Sequence, residues 1–284
     1  MLFETHQRDG LAYARMAVLF RGRPVHQVYA YSVDGLLVDT GYPQGADRLL
    51  GWARKQDLER VVLTHHHEDH VGGAAVLREE LSLPILASSL AIPRLARAPA
   101  LPFYRRLVSR RPRPVTAQPL SDLLEHRGRR YRIIPTPGHA FDHVCLYDEE
   151  RRWLFSGDLY VHPKVTYLRR IEDVWQHLDS LRRVRALEPE RLFCAHAGPV
   201  DRATRALERK IEFWENLARE VGELHRRGLS SRQIRKRLVG SESLFSYLSL
   251  GDFSKLNLIH DLLRGSPDSA SSEEAPAGAG ESVS

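Results

Sequence analysis

Cysteine is scarce in this chain, and long apolar stretches are missing from it. Only two cysteines, Cys145 and Cys194, occur in 284 residues, and both lie in apolar, strand-like segments. Two cysteines cannot build a disulfide framework, so buried free thiols are predicted. No run of about 18 apolar residues is present, which predicts that no helix spans a membrane. Because the first residues lack a basic region followed by an apolar stretch, we expect a cytoplasmic protein without a secretory signal.

Charge of one sign is not in large excess either. The sequence has 42 lysines and arginines against 36 aspartates and glutamates, which gives a formal net charge of +6. This moderate balance is compatible with an anionic substrate or with RNA, and it is also common in soluble proteins generally. Hydrophobic residues make up 42% of the chain, which is enough for one large core, and the length allows one or two domains.

Metal-ligand side chains are concentrated in residues 65–70, which read HHHEDH. The pattern H-x-H-x-D-H is completed by His65, His67, Asp69 and His70. A predicted strand precedes this motif, and a turn into a helix follows it. Charged and imidazole groups crowded at a strand end must be hydrated, paired or bound to a cation. Imidazole and carboxylate together suit zinc, iron or manganese, so the motif predicts a metal site. The spacers, His66 and Glu68, are expected to face solvent or to support the ligands.

Three further candidate ligands lie downstream, each at the end of a predicted strand. These are His139, Asp158 and His196. Small residues flank each of them, so that backbone and metal can approach closely. A single histidine of this kind would be unremarkable in a folded core. Three such residues in addition to the motif at 65–70 predict one composite metal centre.

Apolar periodicity and turn residues outline the remaining elements. Strands over 28–33 and 36–39 flank the hairpin dipeptide Asp34-Gly35. Other strands are predicted at 61–64, 84–87, 131–135, 142–147, 152–156 and 191–195. Helices are predicted at 47–55, 74–81, 172–187, 233–239 and 256–263, together with one that starts after residue 202.

Composition divides the chain into three parts. Residues 1–202 form the predicted catalytic domain, and 203–265 form a helical C-terminal extension. Within the first part, residues 90–118 are rich in proline and arginine, which predicts either a lid insertion or a solvated connector. Residues 266–284 contain almost no large apolar side chain and are predicted to be a disordered tail.

The seven candidate ligands, with Val38-Asp39-Thr40-Gly41 before them, resemble the metallo-β-lactamase-fold hydrolases over about residues 20–202. The chain is most similar to the glyoxalase II-like branch. Its C-terminal helices also resemble the appendage of an endoribonuclease-like branch. The resemblance implies an α+β fold, a four-layer αββα sandwich with a C-terminal helical extension. The metals would lie at one edge between the two sheets.

The resemblance also implies a role for each ligand. His65, His67 and His139 would hold a first divalent ion, most simply zinc, with iron or manganese as alternatives. Asp69, His70 and His196 would hold a second ion, Asp158 would bridge the two, and Asp39 would orient part of the histidine cluster. A hydroxide between the ions would attack a carbonyl carbon or a phosphorus. Asp69 and Asp158 are therefore the predicted catalytic residues, with Asp69 as a proton acceptor.

The bond that is cleaved is left open by the motif. A small-molecule ester, thioester or lactone is the first expectation, and an RNA or other phosphodiester is the alternative. A mononuclear-iron persulfide dioxygenase keeps much of the same ligand pattern and is the third. The flavodiiron oxygen reductases carry glutamate at the position of His67, which weakens that redox interpretation.

Two segments are candidates for contacts beyond the metals. The loop after Asp158 is where the family binds substrates, and its polar candidates are Tyr160, Lys164 and Tyr167. Residues 228–238 resemble the start of the second helix of a helix-turn-helix module, whose arginines and lysine would meet phosphates. The same residues equally predict a helical cap over the substrate cleft or a homodimer contact through the C-terminal helices.

Overall fold

The computed structural model describes residues 1–265, so the tail predicted at 266–284 lies outside the described residues. The chain divides into two compact units. The larger unit comprises Met1–Val165 and Ile171–Glu212. The smaller unit comprises Thr166–Arg170 and the chain from Phe213 onward. The division falls inside a continuous helix, and the domain limit proposed at residue 202 stays a prediction.

The first half of the larger unit builds a seven-stranded sheet in sequential order. Its strands are β1 (Leu2–Arg8), β2 (Leu11–Phe20), β3 (Arg23–Val33), β4 (Leu36–Val38), β5 (Arg60–Leu63), β6 (Ile85–Ala87) and β7 (Gln118–Pro119). The helices between them are α1 (Ala46–Ala53), α2 (Glu68–Val71), α3 (Ala74–Leu81), α4 (Ile92–Leu95) and α5 (Phe103–Val108). Strands β1 to β4 are antiparallel, whereas β4 to β7 run parallel.

The second half of the larger unit builds a six-stranded sheet in the order β14-β13-β11-β10-β9-β8. The strands from here on are β8 (Leu123–His126), β9 (Arg129–Pro135), β10 (Val144–Asp148), β11 (Trp153–Gly157), β12 (Leu168–Arg169), β13 (Arg191–Cys194) and β14 (Gly198–Asp201). Helix α6 (Val174–Arg185) precedes β13, and α7 (Ala203–Arg226) follows β14. Ser180 and Arg183 of α6 donate hydrogen bonds to the carbonyls of Pro137 and Pro135 at the end of β9.

Two apolar layers hold the sheets and helices of the larger unit together. One layer packs α1 and α3 against the first sheet through residues such as Leu49, Leu63 and Leu77. The other lies between the sheets and includes Val62 and Phe155. Strand side chains alternate between these layers, as neighbouring positions of a strand point to opposite faces. The predicted α+β sandwich of two sheets flanked by helices is confirmed.

The residues predicted as a lid or connector, 90–118, contain α4 and α5 and pack onto the larger unit. Leu95, Val115 and Ala117 belong to the layer beneath the first sheet, and Tyr104 is buried. The segment then joins the first sheet as β7, parallel to β6. The segment thus packs part of its length onto the larger unit, and its role as a lid or a connector stays a prediction.

The smaller unit is mainly helical. Its elements are the C-terminal part of α7, α8 (Ser231–Leu238), α9 (Leu244–Leu248), β15 (Phe253–Ser254) and α10 (Lys255–Arg264), with β12 paired to β15. Ser230 and Gln233 form a capping box at the start of α8, and the Ser254 side chain caps α10. No helix among residues 1–265 is long and apolar enough to cross a membrane.

Candidate metal centre

The strand directions bring the predicted ligands to one edge of the larger unit. Parallel strands β4 and β5 end beside each other, and Asp39 and the motif at 65–70 follow them. In the second sheet, β10 is antiparallel to both β9 and β11, and β11 is parallel to β13. Strands β9, β11 and β13 therefore end on the same side, and His139, Asp158 and His196 follow these ends.

A first group of candidate ligands consists of three histidines and one carboxylate. Nδ1 of His67 lies 2.9 Å from Nε2 of His65 and 3.0 Å from Nε2 of His139. Nε2 of His139 lies 3.1 Å from Oδ2 of Asp158. One ligand atom from each of the four residues falls within 4.8 Å of the others. Such convergence of imidazole nitrogens on a carboxylate suits a transition metal ion.

A second group shares the same carboxylate. Oδ1 of Asp158 lies 3.3 Å from Nε2 of His70 and 3.1 Å from Nε2 of His196. The carboxylate of Asp69 is slightly farther away, with its oxygens 3.9 Å from His70 and 3.7 Å from His196. The structure thus brings all seven predicted ligands together, and Asp158 faces both groups.

The charges in this cluster fit a bound cation. Nε2 of His70 and Oδ1 of Asp158 are buried and 3.3 Å apart, but no residue among those described forms a well-aligned hydrogen bond with either atom, which is costly unless an ion satisfies them. Burial opposes ionisation of Asp158, but His196, His70 and His139 hold the pKa of its carboxyl well below the usual range. Burial likewise disfavours charged His139, yet Asp158 and Glu172 raise its pKa to about 9. The donor set therefore fits the two divalent ions that the resemblance implies.

Two carboxylates orient the histidines from outside the cluster. Oδ2 of Asp39 lies 2.8 Å from Nδ1 of His70, and Oδ1 of Asp39 accepts a 2.8 Å hydrogen bond from the Thr64 amide. Glu172 contacts Nδ1 of His139 at 2.9 Å. Each contact leaves Nε2 of that histidine directed at the cluster, as in metal sites whose ligands are oriented by carboxylates. Sequence reasoning included Asp39 but missed Glu172, which no local pattern connects with His139.

His143 is a second residue that sequence reasoning missed. It is buried, and its Nε2 accepts a 3.1 Å hydrogen bond from the Asp158 amide. Its Nδ1 lies 2.7 Å from the Thr136 hydroxyl. Burial lowers the pKa of His143 to about 3, so the ring is neutral and supports the Asp158 backbone. The four-residue spacing from His139 was the available signal.

Gly157 allows Asp158 to approach the histidines. Its φ is +46°, and a Cβ at this position would lie 2.5 Å from Nε2 of His143 and 3.0 Å from Cβ of Thr64. Any larger residue would therefore force the end of β11 away from the first sheet. These close contacts explain why a glycine directly precedes Asp158.

The two spacers of the motif are both engaged by other side chains. His66 donates its amide to Asp142 at 2.9 Å and places its Nδ1 2.8 Å from the same carboxylate. Glu68 is buried and forms an ion pair with Arg105 of α5, with 2.7 Å between Arg105 Nε and Glu68 Oε1. Glu68 thus does not face solvent, and Arg105 supplies the counter-charge that offsets the cost of its burial.

His26 was not predicted, yet it joins the centre from β3. One of its ring nitrogens lies within 4.8 Å of ligand atoms of Asp69 and His196. Its ring centroid is 4.8 Å from that of His196. Residues 23–26 are exposed at the start of β3, and nothing in their sequence distinguishes His26. Only the pairing of distant segments places His26 beside His196.

The predicted substrate contacts are not among these groups of ligands in the described part of the chain. Tyr160 is buried, and its carbonyl accepts a 2.6 Å hydrogen bond from Lys210. Lys164 is exposed. Tyr167 belongs to the smaller unit, where its ring lies 5.9 Å from that of Phe253. Their roles in substrate binding stay predictions.

Both cysteines are buried and unpaired, as predicted. Burial raises the pKa of the Cys145 thiol to about 12. Sγ of Cys194 accepts hydrogen bonds from the amides of His196 and Ala197, each at 3.4 Å. Cys194 therefore shapes the loop that carries His196.

Comparison with protein-family models matches residues 23–196 to the metallo-beta-lactamase superfamily. Among curated proteins, the chain is similar to a hydroxyacylglutathione hydrolase of Bdellovibrio bacteriovorus. The two are 28% identical over 148 residues, which cover 51% of each protein. The chain spans 51% to 60% of the length of three curated relatives that it matches.

Solved structures share the fold. A beta-lactamase domain protein from Burkholderia ambifaria has a TM-score of 0.69 at 18% identity, covering 92% of this chain and 87% of that one. The protein TTHA1623, crystallised in a di-iron-bound form, has a TM-score of 0.54 at 29% identity, covering 67% of this chain and 96% of that one. The family resemblance inferred from the seven ligands is confirmed by these matches.

Proposed function

The chain belongs to the metallo-beta-lactamase superfamily, and from this premise we propose that it is a dinuclear metal-dependent hydrolase of small-molecule esters, thioesters or lactones. The observation that carries the proposal is the position of Asp158. Its two oxygens lie 3.1 Å from Nε2 of His139 and 3.1 Å from Nε2 of His196, which belong to different ligand groups. One carboxylate shared by two histidine groups suits a pair of neighbouring ions.

Each candidate ligand has a role in this proposal. His65, His67 and His139 would hold one ion and Asp69, His70 and His196 the other, with Asp158 between them. Such ions, when bound, supply Lewis acidity and lower the pKa of a water molecule. Asp69 is partly exposed, at 14% of its side chain. His70 and His196 outweigh its burial and lower the pKa of its carboxyl, so it is ionised and able to accept a proton from water.

A side-chain group beside the centre supports an acyl substrate. Phe141 is 50% exposed, and its ring lies 5.4 Å from that of His66 and 5.8 Å from the guanidinium of Arg94. The His66 ring in turn lies 4.9 Å from that of His67. An exposed aromatic ring with a cation over it suits a molecule that carries both an apolar and an anionic part. The likeness to a hydroxyacylglutathione hydrolase supports the same substrate class.

Phosphodiester cleavage is the second candidate, and the charge of α8 favours it. Arg232, Lys236 and Arg237 are exposed on this helix, as a phosphate-binding surface requires. Arg235, by contrast, is engaged within the smaller unit, since it donates a 2.7 Å hydrogen bond to the Gly240 carbonyl. Three exposed cations, rather than four, are therefore available to RNA.

The test is a substrate screen with the protein loaded separately with zinc, iron or manganese. Acyl-thioesters, lactones, short single-stranded RNA and persulfides are compared at low and high salt. We expect the protein to hydrolyse a thioester or a lactone at a rate that does not depend on the salt concentration. Cleavage of RNA that weakens steeply with salt would instead support the second candidate. Oxygen-dependent persulfide turnover with a single iron would overturn the hydrolase proposal.

A further inference from the structure

We propose that His26 is an additional protein ligand of the second metal ion, beyond Asp69, His70, His196 and the shared Asp158. The inference rests on the dinuclear site proposed above. Two sets of three residues with ligand atoms within 4.8 Å share His196: one is completed by His70 and Asp158, and the other by His26 and Asp69. An ion held by His196 and Asp69 would therefore lie within reach of His26.

The pairing of β3 with the loop at His196 determines where His26 lies. The Tyr29 amide donates a 2.8 Å hydrogen bond to the Ala195 carbonyl. The carbonyl of Gln27 lies 2.6 Å from Nδ1 of His196, and the Gln27 side-chain amide donates to the His196 carbonyl at 3.0 Å. Since Nδ1 of His196 is engaged with a carbonyl, its Nε2 is directed at the cluster of candidate ligands. Gln27, the residue next to His26 in sequence, therefore orients His196.

A bulge in β3 lies directly before His26. His26 pairs with Val18 and Pro24 pairs with Leu19, which leaves Val25 as an extra residue between them. Bulges of this kind change the direction of a side chain and are frequent next to functional sites. The exposed Val25 side chain makes no contribution to the core. The extra residue thus lies next to His26, whose own pairing with β2 stays in register with that of Gln27 and Val28.

Tyr42 fixes the orientation of the His26 ring. The Tyr42 side chain is buried, and its hydroxyl forms a short hydrogen bond with Nδ1 of His26. Engagement of Nδ1 leaves Nε2 as the nitrogen available for a metal, as Gln27 does for His196 and Asp39 does for His70.

The experiment measures metal binding, not turnover. Wild-type protein, His26→Gln, His26→Ala and His6→Gln are stripped of metal and titrated with zinc against a chromophoric chelator. Bound metal is counted by mass spectrometry, and cobalt spectra report the coordination of each site. His6→Gln is the matched control, since His6 lies on β1 with its ring stacked on Tyr13 and takes part in none of the candidate ligand groups.

We expect wild type and His6→Gln to bind two ions, with the second bound roughly 10- to 100-fold more weakly by both His26 variants, by analogy with the loss of other metal-site residues. The cobalt spectrum of the second site should change, whereas that of the first should not. If wild type binds two ions and the His26 variants match its second affinity within a factor of two, His26 is no ligand. If wild type itself binds only one ion, the dinuclear proposal fails instead.

Discussion

At the scale of single residues, the candidate centre contains one carboxylate with two sets of partners. Asp158 faces His139 through one oxygen and His70 through the other. Asp158 directly follows the end of β11. Gly157, the last residue of that strand, has no side chain that would collide with His143. An amide in place of this carboxylate would keep the shape and lose one negative charge.

We predict that Asp158→Asn lowers kcat/KM at least on the order of 100-fold, which corresponds to about 2.7 kcal/mol of activation free energy. The reason is that both histidine groups lose their common anion. Steady-state kinetics on the substrate found by the screen, together with metal content, measures the effect. Asp201→Asn is the control, since the Asp201 side chain is 60% exposed. Near-normal activity of Asp158→Asn would contradict a bridging role.

At the scale of elements, an ion pair joins the motif to the insertion. Glu68 of α2 and Arg105 of α5 are only 6% and 14% exposed. Burial alone would make both charges costly, so each depends on the other. The insertion also holds an exposed pair, Arg113 with Glu79, whose side chains are 59% and 51% exposed. The chain thus provides its own comparison between a buried and an exposed ion pair.

We predict that Arg105→Met lowers the free energy of unfolding by about 3–5 kcal/mol, because it leaves the Glu68 carboxylate buried without a counter-charge. Arg113→Met should cost no more than about 1 kcal/mol. Urea denaturation of both variants measures the difference. In the double variant Glu68→Gln and Arg105→Met, most of the lost stability should return. Equal losses for Arg105→Met and Arg113→Met would refute the importance of burial.

A buried lysine ties α7 to the loop that follows Asp158. Nζ of Lys210 donates hydrogen bonds to the carbonyls of Leu159 at 2.9 Å and Tyr160 at 2.6 Å. Nε2 of His177 lies 2.7 Å from the same Leu159 carbonyl. Helices α6 and α7 thus both hold this loop. Burial lowers the pKa of Lys210 from its usual 10.5 to about 7.

This shift predicts a pH-dependent contribution to stability. Between about pH 7 and 10.5 the unfolded chain keeps a proton on Lys210 that the folded chain has released. The unfolded state then binds more protons, so the stability of wild type relative to Lys210→Met should rise with pH in this window, by up to about 1.4 kcal/mol per unit. Chemical denaturation of both proteins at pH 7, 8.5 and 10 measures the trend. A difference that does not change with pH would contradict the assignment.

At the scale of the whole molecule, we expect metal binding to be coupled to folding. The seven candidate ligands come from segments that lie between residues 65 and 196, so an unfolded chain cannot hold them together. Ions that bind only the folded state stabilise it by mass action, by about 4 kcal/mol at a concentration 1,000 times Kd. The same ions would satisfy the buried Nε2 of His70 and Oδ1 of Asp158.

We therefore predict that removing metal with a chelator lowers the melting temperature, and that adding zinc, iron or manganese restores it. Differential scanning calorimetry on full-length protein, before and after chelation, makes the measurement. The Asp158→Asn variant should show a smaller difference, since it holds ions less tightly. A melting temperature indifferent to chelator and to added metal would argue against any resident ion.

Particular elements show how much of the secondary structure can be predicted from local sequence. The strands at 61–64 and 191–195 were predicted to within one residue of β5 and β13, because each is a short apolar run followed by polar residues. The first hairpin, β1 and β2, was overlooked although Asp9-Gly10 is the same turn dipeptide as Asp34-Gly35. Its strand β1 is exposed or half-buried throughout and shows no alternation that a pattern could detect.

By itself, the sequence determined the identity of the seven candidate ligands, their strand-end positions and the family, since each is a matter of residue type and short spacing. Only the tertiary structure decided that Glu172 orients His139, that Arg105 neutralises Glu68 and that His26 stands beside His196. These partners are separated by 33 to 170 residues. Desolvation and charge act through space, so contacts of this kind follow from the packing of sheets and leave no local pattern along the chain.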